Sequence, residues 1–256
     1  MGDASKKHDP LFDSTMSLGD HLEELRMRLL YALAGVVVCA IIGFFLGRRI
    51  IAFLEGPYID VMGEKARLMA LGPADGFISY VKISLVTGLI LASPWVFYHL
   101  WMFVAAGLYP HEKKYVYIAA PFSAALFVAG VLFFIIVVCP LTLGFLVKIN
   151  NFLSLSSQFS FRLYIAFVTH LMLVFGIAFQ TPTAIFFLNR TGLVSLEALS
   201  RSRKYVVLLI VIVAAMATPP DVVSQIALAI PLYLLFELGI LLSYFAGRKR
   251  KSQNNL

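Results

Sequence analysis

The stretch 115–147, YVYIAAPFSAALFVAGVLFFIIVVCPLTLGFLV, runs for 33 residues without Asp, Glu, Lys or Arg. About 20 apolar residues in a helix cross the hydrocarbon core of a bilayer, so a run this long and uncharged reads as a spanning helix with residues to spare. Counting outward finds uncharged windows at 29–47, 83–111, 163–189 and 205–220, and a last stretch, 222–247, whose one acid is Glu237. The 256 residues are 60% hydrophobic and 14% charged, where a soluble domain carries about 25% charge. Mean hydropathy is +0.87. These numbers predict an all-α integral membrane protein of six transmembrane helices, with spans near 29–47, 83–104, 115–138, 163–188, 205–217 and 224–245. The fifth and sixth spans are expected to be short. Sixteen uncharged residues reach roughly 24 Å against a core of about 30 Å, so either the bilayer thins around this hairpin or the hairpin enters without crossing. Thinning is the favoured reading.

The formal charge of +7 sits beside the apolar runs, which directs it to the anionic membrane surface and away from nucleic acid. With both termini inside, 14 of the 21 Lys and Arg fall on the inner side, and the other seven (Arg48, Arg49, Lys65, Arg67, Lys82, Lys148 and Arg162) fall outside. The positive-inside rule therefore selects an N-in, C-in topology. Residues 1–16 read as a mobile polar tail with no apolar core of signal-peptide length, 17–247 as one six-span domain, and 248–256 as a basic cytoplasmic tail. Residues 48–82 read as a long outer loop, an ordered cap broken at Gly56-Pro57 and Gly72-Pro73. Cys39 and Cys139 lie in apolar stretches and read as buried free thiols.

Several chemistries lack their residues. No Gly-x4-Gly-Lys-Ser/Thr loop is present to cradle a nucleotide's phosphates, and no Gly-x-Ser-x-Gly elbow to present a nucleophile. His111-Glu112 opens like a zinc-protease helix, but Tyr115 stands where the second His would lie one turn on. His21-x-x-Glu24 has a di-metal spacing without the further Glu and His such a site needs. No cofactor, metal or catalytic residue is expected.

Four groups of residues remain. Ser17-Leu-Gly-Asp-His-Leu-Glu-Glu-Leu-Arg-Met-Arg places leucines at 18, 22, 25 and 29, which makes an interfacial helix leading into the first span. Within it Glu24 stands four residues before Arg28 and reads equally as half of an intrahelical ion pair. Leu108-Tyr-Pro-His-Glu-Lys-Lys, between spans two and three, puts Glu112 in a first helical turn, where the dipole alone would favour an acid. Thr218-Pro219-Pro220-Asp221 reads as a tight outer turn, as does Pro57. His170, Gln180 and Glu237 lie inside spans, where an ionisable group is functional by default and an amide more often bonds a neighbouring helix. Glu237, near mid-span, is the costliest. Prolines at 94, 121, 140, 182 and 231 would bend most spans into a concave cup. One function these residues allow is a secondary transporter with His170, Gln180 and Glu237 as a midplane site, although no inverted repeat accompanies it.

Taken in order, His21-Leu-Glu-Glu-Leu-Arg, Ala92-Ser-Pro-Trp with Tyr98-x-x-Trp101-x-Phe103, Leu108-Tyr-x-His-Glu, Phe179-Gln-x-Pro182 and Thr218-Pro-Pro-Asp-x-x-Ser-Gln closely resemble the TatC family. This is the multispanning receptor subunit of the twin-arginine protein translocase, and the resemblance covers roughly residues 17–247. It implies a bacterial inner-membrane protein that binds the paired arginines of signal peptides on folded cargo. Export would be driven by the proton motive force, alongside TatA- and TatB-type single-span partners and further copies of the chain. The family's two arginine-binding acids fall on Glu24 and Glu112, their aromatic and proline surroundings on Phe103 and Pro94, and its partner-helix residue on Gln180. Ala106 replaces a proline common in the family, Gln180 is an uncharged amide, and His170 has no counterpart.

Overall fold

A computed structural model describes residues 18–64, 66–107, 113–217 and 222–253. Among them the chain is all-helical, apart from one isolated bridge between Met69 and Ser160. Four helical stretches are long and apolar enough to cross a membrane: His21–Met62, Val116–Phe152, Phe161–Arg190 and Gln225–Phe245. A fifth is formed if Asp75–Leu91 and Ser93–Ala106, bent by 55° at their junction, count as one span.

The first helix, α1 (Leu18–Met62), is 45 residues long, or about 68 Å at 1.5 Å per residue, more than twice the hydrocarbon thickness. Pro57 lies inside it, so the expected loop at 48–62 is helix and Pro57 is not a turn residue. Gly56 has no Cβ to collide with the proline ring. The flanking Leu54 and Tyr58 are fully buried, and the Tyr164 hydroxyl donates to the Leu54 carbonyl at 2.6 Å. Tertiary packing thus overrides the local break. The helix stops at Gly63, whose φ of +90° few other residues accept.

A shorter segment between the helices then leads into α2 (Asp75–Leu91). Its anchors are backbone bonds from Met69 to Phe159 and from Phe161 to Met69, and the buried Asp75 carboxylate, which accepts from the Leu71 and Gly72 amides at 3.1 and 2.8 Å. Arg162 stands 3.6 Å from the same carboxylate. Against α2, α1 packs backbone to backbone: a Cβ on Gly43 would lie 2.8 Å from the Ser84 carbonyl, and one on Gly88 would overlap the Ala40 backbone. In a lipid solvent such close approach by small residues is what holds helices together.

Three prolines act as anticipated. Pro94 opens α3 (Ser93–Ala106) at the bend after α2. The third span combines α4 (Lys113–Phe133), a π-helical turn at Phe134–Val138, and α5 (Cys139–Phe152), with Pro140 directly after the wide turn. Pro182 starts α7 (Thr181–Arg190), separated from α6 (Phe161–Ala178) by Phe179 and Gln180. Pro121 and Pro231 lie within unbroken helices. The core gathers Phe134, Cys139, Ile165, Val168, Leu171 and Phe175 between α1, α2 and the fourth span.

After the one-turn α8 (Leu196–Arg201), α9 (Arg203–Ala217) has only 15 residues, about 22 Å, below the thickness of the core. Its partner α10 (Val222–Gln253) is 32 residues long. The sixth helix is therefore not short, and it runs into the expected 248–256 tail as far as Gln253.

Candidate functional site

Near the N-terminal end of α1, His21, Glu24 and Arg28 follow one another at helical spacing and share a face. The Glu24 carboxylate accepts from Arg28 through Nη2 at 3.0 Å and Nε at 3.3 Å, with both side chains about three-quarters covered. The imidazole of His21 stacks on Phe103, with ring centroids 4.5 Å apart and an interplanar angle of 27°. One turn later, at the end of α3, Gly107 faces the edge of the same imidazole. The structure thus sets Phe103 against His21, which lies one helical turn before Glu24, a link the sequence spacing does not reveal. Glu112 lies outside the described residues, as do Pro219, Pro220 and Asp221.

Pro94 sits at the other end of α3, nine residues or about 13 Å from Phe103 along the helix. It lines an apolar groove of about 770 Å³ between α1 and the α2–α3 bend, with Tyr31, Gly35, Trp95 and Tyr98 among its walls. The Trp95 indole donates to the Tyr31 carbonyl at 2.8 Å, tying α3 to α1 one turn beyond Arg28. Behind these rings His99 is buried, 4.5 Å from Trp95 and 5.6 Å from Tyr31 between centroids, and neither ring nitrogen has a hydrogen-bond partner among the described residues. His99 carried no signal in the sequence, because an aromatic at that spacing is ordinary core.

The three polar residues inside spans do not meet. Gln180 donates to the Ser123 carbonyl at 3.0 Å, beside the Trp101 indole that donates to the Ser123 hydroxyl at 2.9 Å, on the wall of a 320 Å³ cavity. Glu237 is claimed by Arg203, with Nε 2.8 Å from one oxygen and Nη2 3.0 Å from the other, and by the Tyr233 hydroxyl at 2.8 Å. Because Arg203 is the first residue of α9, Glu237 lies level with the N-terminal end of that short helix. The short fifth window was the available clue. His170 is exposed on α6 and makes no hydrogen bond, ion pair or ring contact among the described residues. A shared midplane site, as a transporter would need, is not formed. Nor do the described residues bring three metal-ligating side chains together.

A family model for the Sec-independent protein translocase protein TatC matches residues 20–231. The chain belongs to the TatC family. TatC of Desulforapulum autotrophicum is 38% identical over 91% of this chain and 86% of its own length. TatCy of Bacillus subtilis is 34% identical over 93% of both chains, and TatC of Aquifex aeolicus 35% identical over 92% of this chain and 98% of its own. The fold agrees: a crystal structure described as the twin-arginine translocase receptor TatC superposes with a TM-score of 0.79 at 34% identity, covering 89% of this chain and 99% of the other. A second TatC receptor structure, in DDM, gives 0.80 over 87% and 99%.

Proposed function

We propose that this TatC-family chain is a non-enzymatic receptor of the twin-arginine translocase, taking paired arginines of signal peptides on Glu24 and Glu112 at the cytoplasmic face of a bacterial inner membrane. The observation that supports this is the Glu24 carboxylate near the N-terminal end of α1, one turn after the His21 that stacks on Phe103, and already engaged by a guanidinium 3.0 Å away. Carboxylates match the planar fork of arginine, and a lysine ammonium cannot reproduce that geometry. Successive side chains of an extended peptide point to opposite sides, so two neighbouring arginines need acids from two protein segments. Glu112 is five residues beyond Gly107, a reach of at most about 18 Å. Phe103 fixes the turn that carries Glu24, and the apolar groove at Pro94 offers a surface to the apolar stretch that follows the arginines.

Six spans and an N-in, C-in topology fit the 14 to 7 division of basic residues, with the bilayer thinned at α9. TatA- and TatB-type single-span proteins and further copies of the chain are its partners, Gln180 contacts a partner helix, and the absence of a nucleotide loop fits export driven by the proton motive force. Titrating purified protein with a fluorescent Arg-Arg peptide tests the assignment. Glu24→Gln and Glu112→Gln are each expected to weaken binding about tenfold or more, the value of a charge-assisted hydrogen bond. Wild-type affinity in the double variant would remove both acids from the site.

A further inference from the structure

We propose that His99 is a positioning residue for arginine recognition: its imidazole receives the Arg28 guanidinium when a peptide arginine occupies the Glu24 carboxylate. The proposal rests on the reading of Glu24 as an arginine-binding acid. His99 is 5% exposed, and neither ring nitrogen has a hydrogen-bond partner among the described residues. Buried polar groups are nearly always paired, so one left open in the peptide-free protein points to a partner that arrives in another state. A neutral imidazole offers one donor and one acceptor, where an apolar side chain would fill the same space without leaving either unmet.

The neighbours of His99 limit what that partner can be. The rings of Trp95, Tyr98 and Tyr31 stand 4.5, 5.3 and 5.6 Å from it between centroids, and the Trp95 indole N–H is committed to the Tyr31 carbonyl. Arg28 lies three residues before Tyr31 on α1, a spacing that sets the two side chains next to each other. It is also the charged group whose field acts on the imidazole. Its guanidinium is turned toward the N-terminus, with Nε and Nη2 both on Oε1 of Glu24. Arg28 therefore stands between an engaged acceptor one turn before it and an open one beside the residue one turn after it. A peptide arginine gains its two-bond grip on Glu24 only when both carboxylate oxygens are free. With Arg28 on Oε1, the newcomer finds one oxygen and a like charge beside it. Transfer of Arg28 to the imidazole removes both obstacles and keeps the largely covered Arg28 charge hydrogen-bonded throughout.

The test is a mutant cycle on the purified full chain, titrated with a fluorescent Arg-Arg peptide. His99→Leu is expected to weaken binding about three- to tenfold, the worth of about one hydrogen bond. Its thermal midpoint should be unchanged or raised, because an unpaired polar group gives way to an apolar one; a purely structural histidine would lower it. His99→Gln, whose carboxamide oxygen can accept from Arg28, should bind as the wild type does. In an Arg28→Gln background His99→Leu should change nothing, since no guanidinium has to be received. Nitrogen resonances of the His99 ring should shift when the peptide is added, and stay in place in Arg28→Gln. Wild-type affinity in His99→Leu, or the same loss with and without Arg28, overturns the proposal even where Glu24→Gln still weakens binding. Binding that does not depend on Glu24 overturns the underlying reading, and the proposal with it.

Discussion

The carboxylate of Glu24 and the guanidinium of Arg28 stand 3.0 Å apart on successive turns of α1, so the acid proposed to receive a peptide's arginine already holds one from its own helix. Both Arg28 nitrogens bond the same oxygen, Oε1, so an incoming arginine competes with Arg28 for the carboxylate's charge. An i,i+4 pair of this kind is worth about 0.3–0.5 kcal/mol. Arg28→Gln is therefore expected to tighten binding of an Arg-Arg peptide about twofold, by removing both a competitor and a repelling charge. Raising the salt concentration should narrow the difference. Fluorescence titration at low and high salt checks it, and weaker binding by the variant would show that Arg28 assists recognition.

Phe103 and His21 should act as one unit, because each is the other's stacking partner at 4.5 Å. Such a pair contributes about 0.5–1.5 kcal/mol beyond area burial. Phe103→Ala and His21→Ala are each expected to weaken peptide binding two- to tenfold, and the double variant little more than either alone. A double-mutant cycle measures the coupling; fully additive losses would mean the stack does not position Glu24.

The tie between α9 and α10 makes a separate claim about stability. Arg203 reaches both oxygens of Glu237, but it is about half exposed, so the pair is worth on the order of 1 kcal/mol. Glu237→Gln should lower the thermal midpoint in detergent by a few degrees. The reversal Arg203→Glu with Glu237→Arg should recover part of that loss, whereas Arg203→Glu alone should be the worst of the three. Peptide affinity should change little in any of them.

Close contact of α1 with α2 is a stricter constraint. A methyl at Gly88 meets the Ala40 backbone, which has no flexible end to move aside. Gly88→Ala is expected to cost about 1–3 kcal/mol, the usual range for overpacking. A correspondingly lower melting temperature and yield would be seen, and an unchanged melt would contradict the packing.

Much of this fold is legible in the sequence because water and lipid divide residues so strongly. The expected spans fall on helical stretches, with 83–104 crossing the α2–α3 bend and 163–188 the break at Phe179 and Gln180, since an uncharged window must satisfy its backbone internally once it leaves water. What local reading misses is where long-range contacts decide. Gly56-Pro57 looks like a break until Leu54 and Tyr58 bury against Tyr164, and Glu237 looks stranded until a short α9 lifts Arg203 to its level. Glu24 and Phe103 are 79 residues apart, and nothing in their spacing shows that His21 joins them. Gln180 and His170 looked alike as polar groups within a span, yet one turns inward to Ser123 and the other outward.

Arginine recognition is tested most directly by placing a photo-crosslinking residue at position 24, and separately at 112, in the reconstituted full chain and offering matched peptides bearing Arg-Arg or Lys-Lys. Strong adducts from both positions with Arg-Arg and only faint ones with Lys-Lys are the predicted result. Equal labelling by the two peptides, or labelling from just one of the two positions, would contradict a pair of acids gripping neighbouring guanidiniums.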